Sequence, residues 1–340
     1  MWSVGGHYQT HLKIGKNIKY MRIAFVGKGG SGKSTLSASF AAYITENTTK
    51  PVVVFDADLN IHTPELLGFR TIPVEKHLSH PETTVAIKKW LIGKNDIKDL
   101  GAFRKTTPPT NRSNILDISK LEQSPLHEFG VHKENLSVFA VGTYQEDGIG
   151  SSCYHTNLAI FESLLNHIDD TKGYVIADMV AGIDSFSGTL HAQFDMTCLV
   201  VEPTKRSIEV YIKYNELAQE AGVHNQLVVI GNKINSADDK AFIASHIKSE
   251  KIIGYFTDDV HIRLIDRDEQ LLDIKKLNLD NQDLLHTIKI KLESLPDRKN
   301  VRLEKIWELH QKYVSLPFIK NSFGDLTTQI DKSFSFKDSP

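Results

Sequence analysis

The stretch Gly27-Lys28-Gly29-Gly30-Ser31-Gly32-Lys33-Ser34-Thr35 sets glycines, two lysines and three hydroxyls at the spacing G-x-x-x-x-G-K-[S/T]. Glycines let a backbone fold tightly enough to aim successive N–H groups at phosphate oxygens. A helix starting at the end of such a loop adds a dipole that favours an anion. In this arrangement Lys33 reaches the β- and γ-phosphates of a nucleotide. Ser34 offers its hydroxyl to a Mg²⁺ that keeps most of its waters, and Thr35 meets the α-phosphate. The context is right, because a buried apolar run enters the loop and a helical pattern leaves it. Two further apolar runs end in carboxylates: Val52–Phe55 runs into Asp56-Ala57-Asp58, and Tyr174–Ala177 runs into Asp178. A lone strand-end aspartate is commonly only a cap. Two such strand ends beside a phosphate loop match what phosphoryl transfer needs: a held Mg²⁺, an oriented water and positive charge.

These loops need a scaffold. Seven short runs rich in β-branched residues can be picked out: Arg22–Val26, Val52–Phe55, Ser137–Val141, Tyr174–Ala177, Thr197–Val201, Leu227–Ile230 and Lys251–Tyr255. Most are apolar throughout rather than alternating, the mark of strands covered on both faces. Helical patterns lie between most of them, at Leu36–Thr45, Leu158–Ile168 and Ile208–Ala221. This alternation predicts an α/β fold, a doubly wound, mainly parallel seven-stranded sheet flanked by helices. Ligands of such sheets sit at the carboxyl ends of the strands, where every loop named above falls. The region Ile72–Asn135 interrupts the alternation and reads as a helical insertion with an exposed loop at Thr106–Ser113. Residues 269–340 read as a helical extension and tail, with stripes Leu284/Ile288/Leu292/Leu295 and Leu303/Trp307/His310/Val314. Residues 1–20 lack an apolar signal core and read as a flexible or spurious extension, which leaves 21–268 as the P-loop domain.

Composition narrows the class. The chain has 340 residues, 40% apolar and 24% charged, with a formal net charge of −2. That is the balance of a soluble globular protein with no global pull toward nucleic acid or an anionic membrane. Two cysteines, Cys153 and Cys198, make no disulfide framework, so a cytoplasmic setting is expected. No apolar run approaches the length of a membrane span.

Lys28-Gly29-Gly30-Ser31-Gly32-Lys33-Ser34-Thr35 resembles the deviant Walker A motif of the MinD/ParA/nitrogenase-iron-protein superfamily of P-loop ATPases. The resemblance covers about Met21 to Asp268. It implies ATP and Mg²⁺ as ligands, hydrolysis of ATP to ADP and phosphate, and a homodimer formed on ATP binding. It also implies that Lys28 reaches across the dimer to the partner's nucleotide. Asp58 matches the position that orients or deprotonates the attacking water, and Asp56 would support the metal shell. Asp178, in a segment similar to Walker B, would hold Mg²⁺ through a water, and Gly182 would offer its N–H to the γ-phosphate. On the base side, Asn232 would read the adenine edge beside Lys233, and Pro203, in Glu202-Pro203-Thr204, would line the base.

Within the superfamily, Gly148–Leu158 followed by Asp178–Ile183 resembles the CooC-type branch, which assists nickel insertion into carbon monoxide dehydrogenase. That branch carries Cys-x-Cys, whereas this chain has Cys153-x-His155. A thiolate and an imidazole from each of two subunits would make a Cys₂His₂ site suited to Zn²⁺, or to Ni²⁺. The alternative function is spatial positioning or partitioning in the MinD/ParA manner, with hydrolysis as a timer. Val301–Val314 is amphipathic but carries mixed charges rather than a basic face. Neither membrane nor DNA binding is therefore indicated, and the expected partner besides a second copy is a protein client the sequence does not name.

Overall fold

The structure, a computed structural model, describes residues 21–142, 154–182, 186 and 188–336, with the side chains of 154–156 excluded. The strands are β1 (Arg22–Gly27), β2 (Val52–Ala57), β3 (Leu116–Asp117), β4 (Val131–Lys133), β5 (Leu136–Ala140), β6 (Ile168–Asp169), β7 (Tyr174–Val180), β8 (Met196–Val201), β9 (Leu227–Ile234) and β10 (Ile252–Thr257). The helices are α1 (Lys33–Glu46), α2 (Thr63–Leu66), α3 (Pro81–Ile92), α4 (Tyr154–Asn166), α5 (Lys205–Glu220), α6 (Ala237–His246), α7 (Val260–Ile265), α8 (Leu279–Ser294), α9 (Lys299–Val314) and α10 (Pro317–Phe323).

Among the described residues the main sheet has eight strands in the order β10-β9-β8-β1-β7-β2-β5-β4. All neighbours are parallel except β4, which pairs antiparallel with β5. The seven expected strands are present, and β4 is an added three-residue edge. It forms because the chain reverses at Glu134, whose φ is 54°, and a strand that short carries no readable period. Successive side chains of a strand point to opposite faces. In β1, Ile23 and Phe25 accordingly enter one core and Ala24 and Val26 the other. One face is covered by α1 and α8, and the other by α3, α4, α5 and α6.

Two parts of the chain differ from the sequence-based expectation. Thr106 to Pro109, in the stretch expected to be an exposed loop, are buried. Their polar groups are satisfied by residues far along the chain: Asn166 donates to the carbonyl of Thr107 at 3.2 Å, and Thr106 Oγ1 meets His310 Nδ1 at 2.9 Å. A buried polar loop is tolerable only when so paired. The second difference concerns α8, placed beyond the P-loop domain by a boundary at 268. Its Leu284, Leu285, Ile288 and Leu292 belong to the same core as β1, β2 and α1.

The amino-terminal end of the sheet is held by buried charge. Arg22, 1% exposed at the start of β1, donates from Nη2 to Asp170 Oδ1 at 2.9 Å and from its backbone to Asp195 Oδ2 at 2.9 Å. Arg302 of α9 lies 3.7 Å from Asp170 and 3.5 Å from Asp195. No helix among the described residues is long and apolar enough to cross a membrane.

Candidate nucleotide site

The phosphate loop joins β1 to α1. Gly30 and Gly32 have φ of 81° and 84°, the left-handed region where a β-carbon is disfavoured. At Gly32 a side chain would also strike the Asn232 amide. The loop closes on itself through Ser31 N–H, which donates to the Lys28 carbonyl at 3.0 Å. Two residues after the Ile230 step of β9 hold it from outside: Asn232 Nδ2 donates to the Ser31 carbonyl and Lys233 Nζ to the Gly30 carbonyl, each at 2.6 Å. Lys233 is itself paired with Glu202 at 2.7 Å.

Register brings the carboxylates together. Asp56 on β2 and Asp178 on β7 are direct partners across neighbouring parallel strands. The Ala181 N–H, just beyond β7, donates to the Gly27 carbonyl at 3.1 Å, which ties that strand end to the loop. Lys33 Nζ makes an ion pair with Asp58 and lies 3.8 Å from Asp178 Oδ1, with all three side chains buried. Asp58 Oδ1 accepts the Asn60 N–H at 3.1 Å.

The electrostatics suit a divalent cation. One buried lysine faces three carboxylates, an excess of negative charge. Burial pushes the Asp178 carboxyl up to about 7, with Lys33 opposing this and Asp56 adding to it. Burial acts to lower the Lys33 ammonium, but Asp178, Asp58 and Asp56 outweigh it and the net shift is upward. Asp178 Oδ1 is buried and has no hydrogen-bond partner of good geometry. A buried acceptor of this kind, beside the Ser34 hydroxyl, fits the water shell of Mg²⁺, which needs one or two carboxylates together with phosphate oxygens. Asp56, expected to support the metal shell, is engaged by the backbone of the turn that follows it. Its two oxygens accept backbone N–H groups of Asp58 at 3.2 Å and of His62 and Thr63 at 2.9 Å each. That carboxylate folds the turn after β2. Burial raises its pKa and the three amides pull back.

A cleft of about 640 Å³ lies over this cluster, lined by Gly29, Gly30, Gly32, Lys33, Ser34, Thr35, Asp58 and Asn232 on the phosphate side. Lys233 also lines it, although its ammonium is committed to Gly30 and Glu202. Gly27 and Ser31 are buried behind the loop, and Lys28 is exposed with no side-chain partner among the described residues. Pro203 does not line the cleft. The chain turns there from β8 into α5, where Thr204 caps the helix by accepting the Ser207 N–H. The far wall contains Phe256 and Asp258, in the closing strand and loop Ile252–Asp258 that resembles the family's, together with His62, Ile262 and Arg263, which the sequence did not single out. Arg263 pairs with Asp258 at 2.7 Å. His62 follows the second aspartate by four residues, the only local hint of its place. Cys153 and the side chain of His155 lie outside the described residues. Among those described, no set of three or more His, Cys, Asp or Glu is arranged as a metal cage.

Comparison with known proteins agrees with this geometry. Residues 23–289 match the model of the CobQ/CobB/MinD/ParA nucleotide binding domain. The chain belongs to that family. It is 27% identical over 249 residues to the carbon monoxide dehydrogenase accessory protein CooC of Rhodospirillum rubrum, covering 73% of this chain and 87% of that one. An uncharacterized ATP-binding protein of Methanocaldococcus jannaschii is 26% identical over 250 residues, 71% of this chain and 87% of the other. In fold, the chain is similar to a ParA family ATPase from Chlorobium tepidum TLS (TM-score 0.52, 17% identity, 81% of this chain and 100% of that one). It is also similar to the cell division ATPase MinD of Pyrococcus furiosus (TM-score 0.50, 16% identity, 80% and 99%).

Proposed function

We propose that this chain is an ATP-hydrolysing, Mg²⁺-dependent switch that closes as a two-fold dimer over its nucleotides. The observation that carries the reading is the convergence of Lys33, Asp58 and Asp178 from three separate strand ends beneath a glycine loop. The loop amides bind phosphate, and Ser34 and Asp178 hold Mg²⁺, which when bound neutralises phosphate charge. Phosphate oxygens compete for the Lys33 ammonium, and Asp58, released from the pair, accepts a hydrogen bond from the attacking water. Asn232 favours adenine over guanine. Its Nδ2 is committed to Ser31, so Oδ1 is the atom offered, and it needs a donor such as the adenine amine rather than the guanine carbonyl. Exposed, and with no side-chain partner among the described residues, Lys28 suits a reach to a second copy's nucleotide.

The relationship to a carbon monoxide dehydrogenase accessory protein favours metal-centre maturation over spatial positioning as the downstream task. Cys153 and His155 would then bridge Zn²⁺ or Ni²⁺ between two copies.

The test is phosphate release and light scattering with ATP on wild type, Lys28→Ala, Lys33→Ala and Asp58→Ala. The reading expects a silent, trapped dimer for Asp58→Ala, no nucleotide binding for Lys33→Ala, and loss of turnover for Lys28→Ala. An Asp58→Ala protein that stays monomeric when saturated with ATP would contradict the dimer. Metal content of the trapped dimer, set against a Cys153→Ala/His155→Ala control, decides the downstream task. About one transition metal ion per dimer, lost in the control, supports maturation, and a metal-free dimer moves the reading to spatial positioning.

A further inference from the structure

Thr63 stands where the turn after β2 meets Walker B. Its side chain is 0% exposed. Its backbone N–H donates to Asp56 Oδ2 at 2.9 Å, and its hydroxyl donates to Asp178 Oδ2 at 3.3 Å while also lying against the Asp56 carboxylate. Because Asp56 and Asp178 are register partners, one residue of the turn ties the ends of two neighbouring strands together. The consequence for Asp178 is asymmetric. Oδ2 is held by Thr63, while Oδ1 has no hydrogen-bond partner of good geometry and lies 3.8 Å from Lys33, with the Ser34 hydroxyl acting on the same carboxylate. A carboxylate fixed through one oxygen loses its freedom to rotate and offers the other in a set orientation, as outer-shell partners do for metal ligands generally. The same residue closes the turn that begins at Asp58 and contains Asn60, whose N–H orients Asp58 Oδ1.

We propose that Thr63 is a positioning residue for the metal centre: its buried hydroxyl orients the Asp178 carboxylate, leaving Oδ1 for the water shell of Mg²⁺, and keys the Asp58 turn to that orientation. The inference rests on the reading of Asp178 as a Mg²⁺ holder. Thr63→Val keeps the shape and removes the hydroxyl, Thr63→Ser keeps the hydroxyl and removes the methyl, and Asp178→Asn tests the underlying reading. The readout is the affinity of ADP-loaded protein for Mn²⁺, titrated by electron paramagnetic resonance, beside ADP binding in chelator. Thr63→Val should weaken Mn²⁺ about tenfold and leave metal-free ADP binding within about twofold, with Thr63→Ser close to wild type. If Asp178→Asn loses Mn²⁺ while Thr63→Val holds it as wild type does, Thr63 has no such role. Equal losses of Mn²⁺ and metal-free ADP in Thr63→Val would mean a general structural role and overturn the inference as well. Wild-type Mn²⁺ affinity in Asp178→Asn would instead overturn the premise. Should Thr63→Val fail to fold, Thr63→Ala beside Thr63→Ser decides the matter: a loss restored by serine supports the hydroxyl, and equal losses refute it.

Discussion

Replacing Asp58 with alanine should make the protein bind nucleotide more tightly while it stops turning over. Lys33 is held by Asp58 in a buried ion pair, and nucleotide phosphates compete with it for the ammonium. A hydrogen bond to a charged group contributes roughly 1.5–3 kcal/mol. The alanine variant does not recover all of this, because Asp178, at 3.8 Å, and Asp56 still attract the lysine. If about half is recovered, affinity for the Mg²⁺ complexes of ADP and ATP rises by about 1.1 kcal/mol, or roughly sixfold. Turnover should fall by at least about 10²-fold, the usual loss when a positioned acceptor for a proton is removed. Titration calorimetry with ADP and with a slowly hydrolysed ATP analogue, beside phosphate release, gives both quantities. A folded Asp58→Ala protein with unchanged or weaker nucleotide affinity would refute the competition for Lys33, whatever its turnover.

Three other perturbations test separate parts of the structure. Asn232→Asp turns the donor that faces the Ser31 carbonyl into an acceptor, so ATP affinity should fall at least tenfold and the preference over GTP should shrink; competition binding with both nucleotides checks it, and an unchanged preference would remove Asn232 from base recognition. Burial pulls the His310 imidazole down to about 4 from 6.5. Between those values the unfolded chain binds the proton and the folded one does not, so the contribution is absent above pH 6.5 and stability is lost as pH falls, reaching about 3 kcal/mol near pH 4. Denaturant unfolding should therefore depend less on pH in His310→Gln across that window, and identical slopes would show that His310 does not titrate there. Ile288→Ala opens a cavity between α8 and the sheet at a fully buried position and should cost about 2–5 kcal/mol in one cooperative transition; a separate early transition of α8 would mean that the helix folds independently.

What could be read from the sequence was local, and what could not was remote. The phosphate loop was legible because its chemistry sits in nine consecutive residues between a strand and a helix. Asp58 and Asp178 were legible as strand-end carboxylates, but their partnership was not, since it depends on β7 lying between β1 and β2 in the sheet. The hydrogen bonding of Asp56 was illegible for a related reason. Sequence shows a carboxylate, not that three amides of the following turn already use it. Thr63 and Asp178 are 115 positions apart, and no period connects them. The stretch Thr106–Pro109 has the composition of an exposed loop, and only Asn166 and His310, both distant in the chain, make its burial affordable.

The charges at the amino-terminal end of the sheet carry a consequence for how this chain could be shortened. Asp170 and Asp195 are both buried, and the cations that face them come from opposite ends of the sequence, Arg22 from β1 and Arg302, with Arg298 beside it, at the start of α9. A fragment stopping where the family match stops, at 289, would keep both acids and Arg22 but lose Arg302 and Arg298. An uncompensated buried charge typically costs about 3–5 kcal/mol, and here it would fall at the root of β1, the strand whose other end forms the phosphate loop. The trailing helices thus act as ballast for the strand that bears the nucleotide. A domain drawn to the family's outline would be cut along a line this molecule has welded shut.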